Sequence, residues 1–247
     1  MATVETPSAE RKAEIARGLA DVREAVRRGQ RQGGVADVCL VAVSKRKPPS
    51  DILAAYEAGQ RHFGENYVQE LCDKAPVLPA DIKWHFIGRL QSNKCKALAA
   101  IPNLWAVETI DSADKARKLS AAWAATGGPD PLGVFIQVNT SGEENKGGVH
   151  RANVPEVARE IAETCPGLCL KGLMTIGSIE GSDQRPNPEF QALVALRDEL
   201  RASAGVDLAL SMGMSSDFEH ALELGAASVR VGTRIFGARP PLPANVA

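Results

Sequence analysis

Ile15, Leu19, Val22 and Val26 recur at alternating four- and three-residue spacing. That apolar stripe predicts an amphipathic helix over residues 8–31, with Thr6-Pro7 as its N-cap and first-turn proline. Beyond it, short apolar runs alternate with amphipathic stretches down the chain. Strands are expected near 38–44, 61–64, 83–87, 104–108, 133–138, 169–174, 207–210 and 228–231. Helices are expected near 50–59, 66–75, 91–100, 112–126, 154–164, 188–203 and 216–224. Asp111 with Asp114, Asn153 before Pro155-Glu156, and Ser215-Ser216-Asp217 mark helix starts. Gly59, Gly205 and Gly225 fall where helices should stop.

Eight strands alternating with helices predict an α/β fold, a single (β/α)8 TIM barrel with an extra N-terminal helix, spanning 1–247 as one domain. An open doubly wound sheet is the alternative, although no Gly-x-Gly-x-x-Gly follows the first strand. Nothing remains after the eighth strand for a second domain, and the tail after about residue 238 is expected to be loose.

Composition narrows the classes. A net charge of −1 over 247 residues carries no electrostatic footprint for nucleic acid or a membrane surface. The N-terminus lacks the layout of a secretory signal, and no apolar run approaches the ~20 residues needed to span a bilayer. Five cysteines, an odd number, sit mostly within apolar segments, and no CxxC or Cys/His spacing points to a metal site. These features predict a reduced, cytoplasmic protein that binds no metal.

The chemistry begins at Lys45, which ends the nearly all-apolar strand Val38-Cys39-Leu40-Val41-Ala42-Val43-Ser44. The carboxyl end of a barrel strand is where this architecture places its reactive groups. A desolvated lysine there is able to condense with an aldehyde, or it simply snorkels to water. The other strand ends bring Gly64-Glu65-Asn66, His85 with Gly88, Glu108-Thr109, Asn139, Met174, Ser211-Met212-Gly213 and Gly232-Thr233 to the same mouth. The loops after the last two strands predict a phosphate cup built from backbone N–H groups, with Ser211 and Thr233 adding hydroxyls. Arg230 lies two residues before Gly232 and shares its face. Asn66 either meets a ring oxygen or caps the next helix, and His85 is equally a core histidine or a ligand contact. The polar loop Asn139–Gly148 has the character of a lid from which Lys146 reaches the pocket, and the 177–188 stretch suggests no specific chemistry.

Ala42-Val43-Ser44-Lys45, Phe63-Gly64-Glu65-Asn66, Trp84-His85-Phe86-Ile87-Gly88 and Leu90-Gln91-Ser92-Asn93-Lys94 together resemble the pyridoxal-phosphate homeostasis protein family. Gly172-Leu173-Met174, Ser211-Met212-Gly213-Met214-Ser215 and the run Val229–Gly237 extend the resemblance over about residues 10 to 239. It implies a barrel like the N-terminal domain of alanine racemase, with pyridoxal 5′-phosphate held as an aldimine on Lys45. It also implies phosphate contacts from Ser211, Gly232 and Thr233, and Arg230 at the pyridine nitrogen. With these, Asn66, His85, Met174, Met212 and Gly213 complete the expected cofactor-binding set. The resemblance further implies a protein that holds the cofactor and passes it on, with no established turnover; apo pyridoxal-phosphate enzymes are the expected recipients and a monomer is the expected state. Arg89 departs from the small or polar residue expected after Ile87-Gly88. Two other readings stay open: a pyridoxal-phosphate-dependent amino-acid racemase, and a sugar-phosphate lyase using a lysine Schiff base. The racemase needs a second acid/base opposite the lysine, and the chain's two tyrosines, Tyr56 and Tyr67, both fall on early helices.

Overall fold

The structure, a computed structural model, describes residues 4–128, 130–143 and 147–238. Strands β1 (Cys39–Val43), β2 (His62–Glu65), β3 (Lys83–Phe86), β4 (Leu104–Ile110), β5 (Leu132–Asn139), β7 (Leu168–Met174), β8 (Ala209–Ser211) and β9 (Ser228–Val231) are all parallel. They run in the order β4-β3-β2-β1-β9-β8-β7-β5, and the pairing of β4 with β5 closes the barrel. The closed (β/α)8 barrel, not the open sheet, is the architecture. The short β6 (Val149–His150) pairs with the end of β5 and has no counterpart in the sequence expectation, because two residues carry no periodicity.

Local sequence explains most boundaries. Helix α1 (Ala9–Gly33) is capped by Ser8, whose hydroxyl accepts from the Arg11 N–H at 3.1 Å, so the cap lies two residues after the expected Thr6. The expected helix over 66–75 starts at Val68 because Tyr67 is extended. That over 91–100 opens as a 3₁₀ turn, Ser92–Lys94, before Cys95–Ala99. Helix Ala113–Ala124 takes Ser112 as its cap, and Asp111 instead pairs with Lys115 at 2.6 Å. Gly205 stops the helix Pro188–Ala204 at φ +67°, a conformation costly for any residue with a Cβ. Two short helices, Ile179–Ser182 and Thr233–Phe236, lie in segments too short for an amphipathic signal.

Helix α1 buries Ile15, Leu19, Val22 and Val26 and packs across the helices Pro49–Glu57, Phe218–Glu223 and Thr233–Phe236. Gly18 permits that approach, since a Cβ there would sit 2.6 Å from the Arg234 carbonyl oxygen. Arg11 forks onto Asp51 at 2.6 and 3.1 Å and donates to the Phe236 carbonyl at 2.8 Å. The extra helix therefore clamps the segment that follows β9. Among the described residues, no helix is long and apolar enough to cross a membrane.

Candidate cofactor site

Alternation along the strands sorts the barrel interior. Val43 and Lys45, Asn66, Ile87, Met174, and Arg230 with Gly232 all line one cavity of about 550 Å³ at the carboxyl mouth. The wall is completed by Lys47, Ile176, Met214, Ser215, Ser216, Thr233, Arg234 and Gly237. Among the described residues, four of the lining side chains are cationic and none is acidic. A cavity so lined selects an anion. A smaller recess of about 140 Å³ shares Ile176 as a wall and is lined by Gln137, Asn139, Thr140, Ser141 and Thr175.

The chain on either side of Lys45 is held by a buried network. Ser44 donates to Glu65 Oε1 at 2.6 Å, and Lys74 donates to Glu65 at 2.7 Å, to Glu70 at 2.6 Å and to the Ser44 carbonyl at 3.0 Å. Arg46 adopts φ +62°, a left-handed conformation costing about 1–3 kcal/mol, and its N–H donates to Glu70 at 2.6 Å. That turn, fixed by Glu70, orients the backbone at Lys45. Burial pushes the Glu65 carboxyl up to about 7, against the pull of Lys74. Two carboxylates share one ammonium, so the deeper one tends to keep its proton.

The cup differs in detail from the sequence expectation. Ser211 is fully buried within β8, and its hydroxyl sits between Glu108 Oε2 and Arg230 Nη1, 2.6 Å from each. It points below the cavity and not into it. The hydroxyl-bearing residues on the cavity wall are Ser215, Ser216 and Thr233. Ser215 ties the two loops together by accepting the Gly232 N–H at 3.2 Å. The amides of Thr233 and Arg234 precede any acceptor in their own helix. A Cβ at Gly232 would stand 3.1 Å from the Val43 carbonyl, so glycine lets the end of β9 close against β1. Met212 is fully buried, and Gly213, at φ +93°, backs onto Phe218 and Ala221; neither lines the cavity. Lys47, Ser215, Ser216 and Arg234 were absent from the expected set. Ser215 and Ser216 read there as a helix start, whereas the helix begins at Phe218 and frees them for the cup. Lys146 lies outside the described residues.

Beneath the cavity a column of polar groups descends the barrel axis. Arg230 Nη2 donates to the Thr175 carbonyl at 2.6 Å, and Nη1 stands 3.9 Å from Glu108. Glu108 Oε1 meets His85 Nδ1 at 2.6 Å, and His85 Nε2 meets His62 Nδ1 at 2.9 Å. Burial raises Glu108, but His85 and Arg230 outweigh it and hold the carboxyl below the usual range. Burial lowers the Arg230 guanidinium from its usual value, against Glu108 and Asp217. His85 thus belongs to this interior column and does not line the cavity.

Fold and cavity together define a class: a (β/α)8 barrel whose carboxyl mouth joins a strand-end lysine to an anion cup. The sequence model of the alanine racemase N-terminal domain matches residues 19–240. The chain is 53% identical over 205 residues to the pyridoxal phosphate homeostasis protein of Schizosaccharomyces pombe, covering 83% of this chain and 85% of that one. It is 47% identical over 228 residues to the human protein of that name, covering 88% and 82%. PipY of Synechococcus elongatus PCC7942, solved with PLP bound, superposes with a TM-score of 0.77 at 33% identity, covering 90% of this chain and all of that one. Alanine racemase from Corynebacterium glutamicum shares the fold, with a TM-score of 0.67 at 16% identity over 96% of this chain and 64% of that one. The chain belongs to the alanine racemase N-terminal domain family and, within it, to the pyridoxal phosphate homeostasis proteins.

Proposed function

We propose that this chain binds pyridoxal 5′-phosphate and serves its homeostasis, holding the cofactor and passing it to apo enzymes in the cytoplasm. The observation that carries the reading is the cavity itself, in which Lys45 shares a wall with Arg230 and with the hydroxyls of Ser215, Ser216 and Thr233. Asn66 lines the cavity, and its buried Oδ1 has no hydrogen-bond partner among the described residues. An orphaned polar atom in an anion-selective cavity fits a polar ring seated there. A half-turn about χ2 presents its NH2 in the same place.

Lys45 would supply the amine that holds the aldehyde carbon. Ser215, Ser216 and Thr233 would supply hydroxyl donors for the phosphate and the Thr233 and Arg234 amides backbone donors, Gly232 leaves room for the close approach, and Lys47 and Arg234 add positive charge. When bound, the cofactor contributes an electrophilic carbon and a ring that accepts electron density. Arg230 sets how strongly that ring acts as a sink. A guanidinium stays protonated, so beside the ring nitrogen it opposes a second positive charge there. That favours holding over turnover. Tyr56 is engaged with Asp81 at 2.6 Å, and Tyr67 is exposed and outside the cavity wall. Neither offers a second acid/base opposite Lys45, so racemisation by this chain should be slow or absent.

The test is borohydride reduction of the loaded protein followed by peptide mapping. The pyridoxyl group should appear on Lys45; finding it on Lys47 or Lys94 would overturn the assignment. A racemisation assay on protein cleared of contaminating enzymes separates holding from catalysis, and robust saturable turnover would favour the racemase reading.

A further inference from the structure

The amino mouth of the barrel carries a second cluster that cofactor binding leaves unused. Cys39 and His62 open β1 and β2, and His85 lies one register step along from His62, since His62 pairs with Lys83 and Gly64 with His85. Each stands an even number of positions before a residue that lines the cofactor cavity (Val43, Asn66 and Ile87), so all three side chains share the inward face, at the barrel's opposite end. Their ligating atoms, one thiol sulfur and two imidazole nitrogens, all lie within 4.8 Å of one another. We infer that Cys39, His62 and His85 form a binding site for one Zn²⁺-type cation at the amino mouth of the barrel.

The donor set is the borderline-soft combination that such a cation takes, with three protein ligands and a fourth position left open. His62 Nδ1 and His85 Nε2 stand 2.9 Å apart, sharing one proton along that line. Tetrahedral zinc, with bonds of about 2.0–2.3 Å, separates its donors by roughly 3.3–3.6 Å. The two imidazoles therefore part by roughly half an ångström, and the thiol, within 4.8 Å of both, closes by on the order of 1 Å at most, to let the metal replace the proton. The supporting shell is already in place: Glu108 holds the other nitrogen of His85 at 2.6 Å, the carboxylate–histidine arrangement that orients a metal-bound imidazole. Glu108 is itself fixed by Ser211 at 2.6 Å. Cys39 and His62 are only half-buried, so ion and water have a path in. The thiolate and the Glu108 carboxylate offset the dication. Opposing it is Lys83, whose ammonium lies 4.2 Å over the Trp105 ring, with that ring edge-on to His62 at 5.9 Å.

The experiment equilibrates the full chain, with its cofactor, against buffered free Zn²⁺ and counts bound metal by mass spectrometry. X-ray absorption at the zinc edge then reads the ligands. One equivalent is expected, with one sulfur near ~2.3 Å and two nitrogens near ~2.0–2.1 Å. Cys39→Ser and His62→Gln should each weaken binding by more than the ~10–100-fold that follows loss of an outer-shell partner. Cys72→Ser, at a cysteine on the helix Val68–Lys74 outside the barrel, should leave binding unchanged. The visible absorbance of the bound cofactor reports that each variant is folded. Absence of stoichiometric zinc, a shell without sulfur, or binding indifferent to Cys39→Ser and His62→Gln would overturn the proposal, and the absorption measurement needs no variant to do so.

Discussion

At its carboxyl mouth the barrel gathers Lys45, Lys47, Arg230 and Arg234 around a cavity with no acidic wall residue among the described residues. At its amino mouth it gathers Cys39, His62 and His85 beside Trp105. The same strands build both, and residues a few steps apart on β1, β2 and β3 serve opposite charge preferences. Each mouth takes its character from what stabilises it in between. Glu108 is the pivot: it faces Arg230 on one side and His85 on the other, so a single buried carboxylate balances a guanidinium and orients an imidazole. Barrel interiors are normally filled with branched aliphatic side chains. Here the central layers include a polar column, and that column is the physical link between the two ends.

The sharpest contrast is expected at Lys45. Lys45→Ala should abolish the visible absorbance of the loaded protein while leaving circular dichroism and zinc binding intact, because the side chain sits at the mouth and not in the packed layers. Loss of fold with the chromophore would show that Lys45 is structural.

Next in size is Glu108→Gln, which leaves Arg230 buried without the carboxylate that stands 3.9 Å from it. Breaking a buried charge pair costs about 3–5 kcal/mol, measurable by denaturant unfolding. The cofactor spectrum should shift as well, because Arg230 then loses the charge that offsets it. An unchanged spectrum would mean that the two mouths do not communicate through the column.

A finer division concerns the phosphate. Thr233→Val and Ser215→Ala should each weaken cofactor affinity by about 1.5–3 kcal/mol, roughly 10–150-fold, the value of a charge-assisted hydrogen bond. Cys39→Ser, at the other mouth, should leave that affinity within about twofold, well under the ~1.4 kcal/mol of a tenfold change. Pyridoxal without its phosphate should bind as weakly as the cup variants combined, and equal affinity for both would remove the cup from the account.

The smallest expected effect is a pH slope from Glu65. Its carboxyl sits at about 7 in the folded chain, chiefly through burial, while the unfolded value lies near the ordinary ~4.3. The folded state therefore holds the extra proton between those values. Its stabilising contribution is complete below about pH 4.3 and is lost as pH rises through about 7. Between pH 5 and pH 8 the loss should be on the order of 2 kcal/mol in urea unfolding. Glu65→Gln should flatten that part of the profile, and a slope equal to the parent's would assign it elsewhere.

Much of this molecule is legible from local pattern. The eight barrel strands, the N-terminal helix and the position of Lys45 at a strand end follow from periods of two and 3.6, because those periods are set by backbone geometry within a few residues. The strand-end rule also brings Asn66, Met174, Arg230, Gly232 and Thr233 to one mouth. Where the sequence expectation fails, the deciding distance is long-range. Ser211 is a strand-end hydroxyl like any other until Glu108, 103 positions away, draws it beneath the cavity. Ser215 and Ser216 become cup residues only because the helix after them starts at Phe218. Cys39, His62 and His85 have no ligand spacing along the chain, and none was expected. Parallel strands bring residues more than twenty positions apart into register through helices that carry no record of it, so convergence is set by barrel closure and stagger alone. The sequence determined which residues stand at strand ends and which way they alternate. Tertiary structure decided which of them meet.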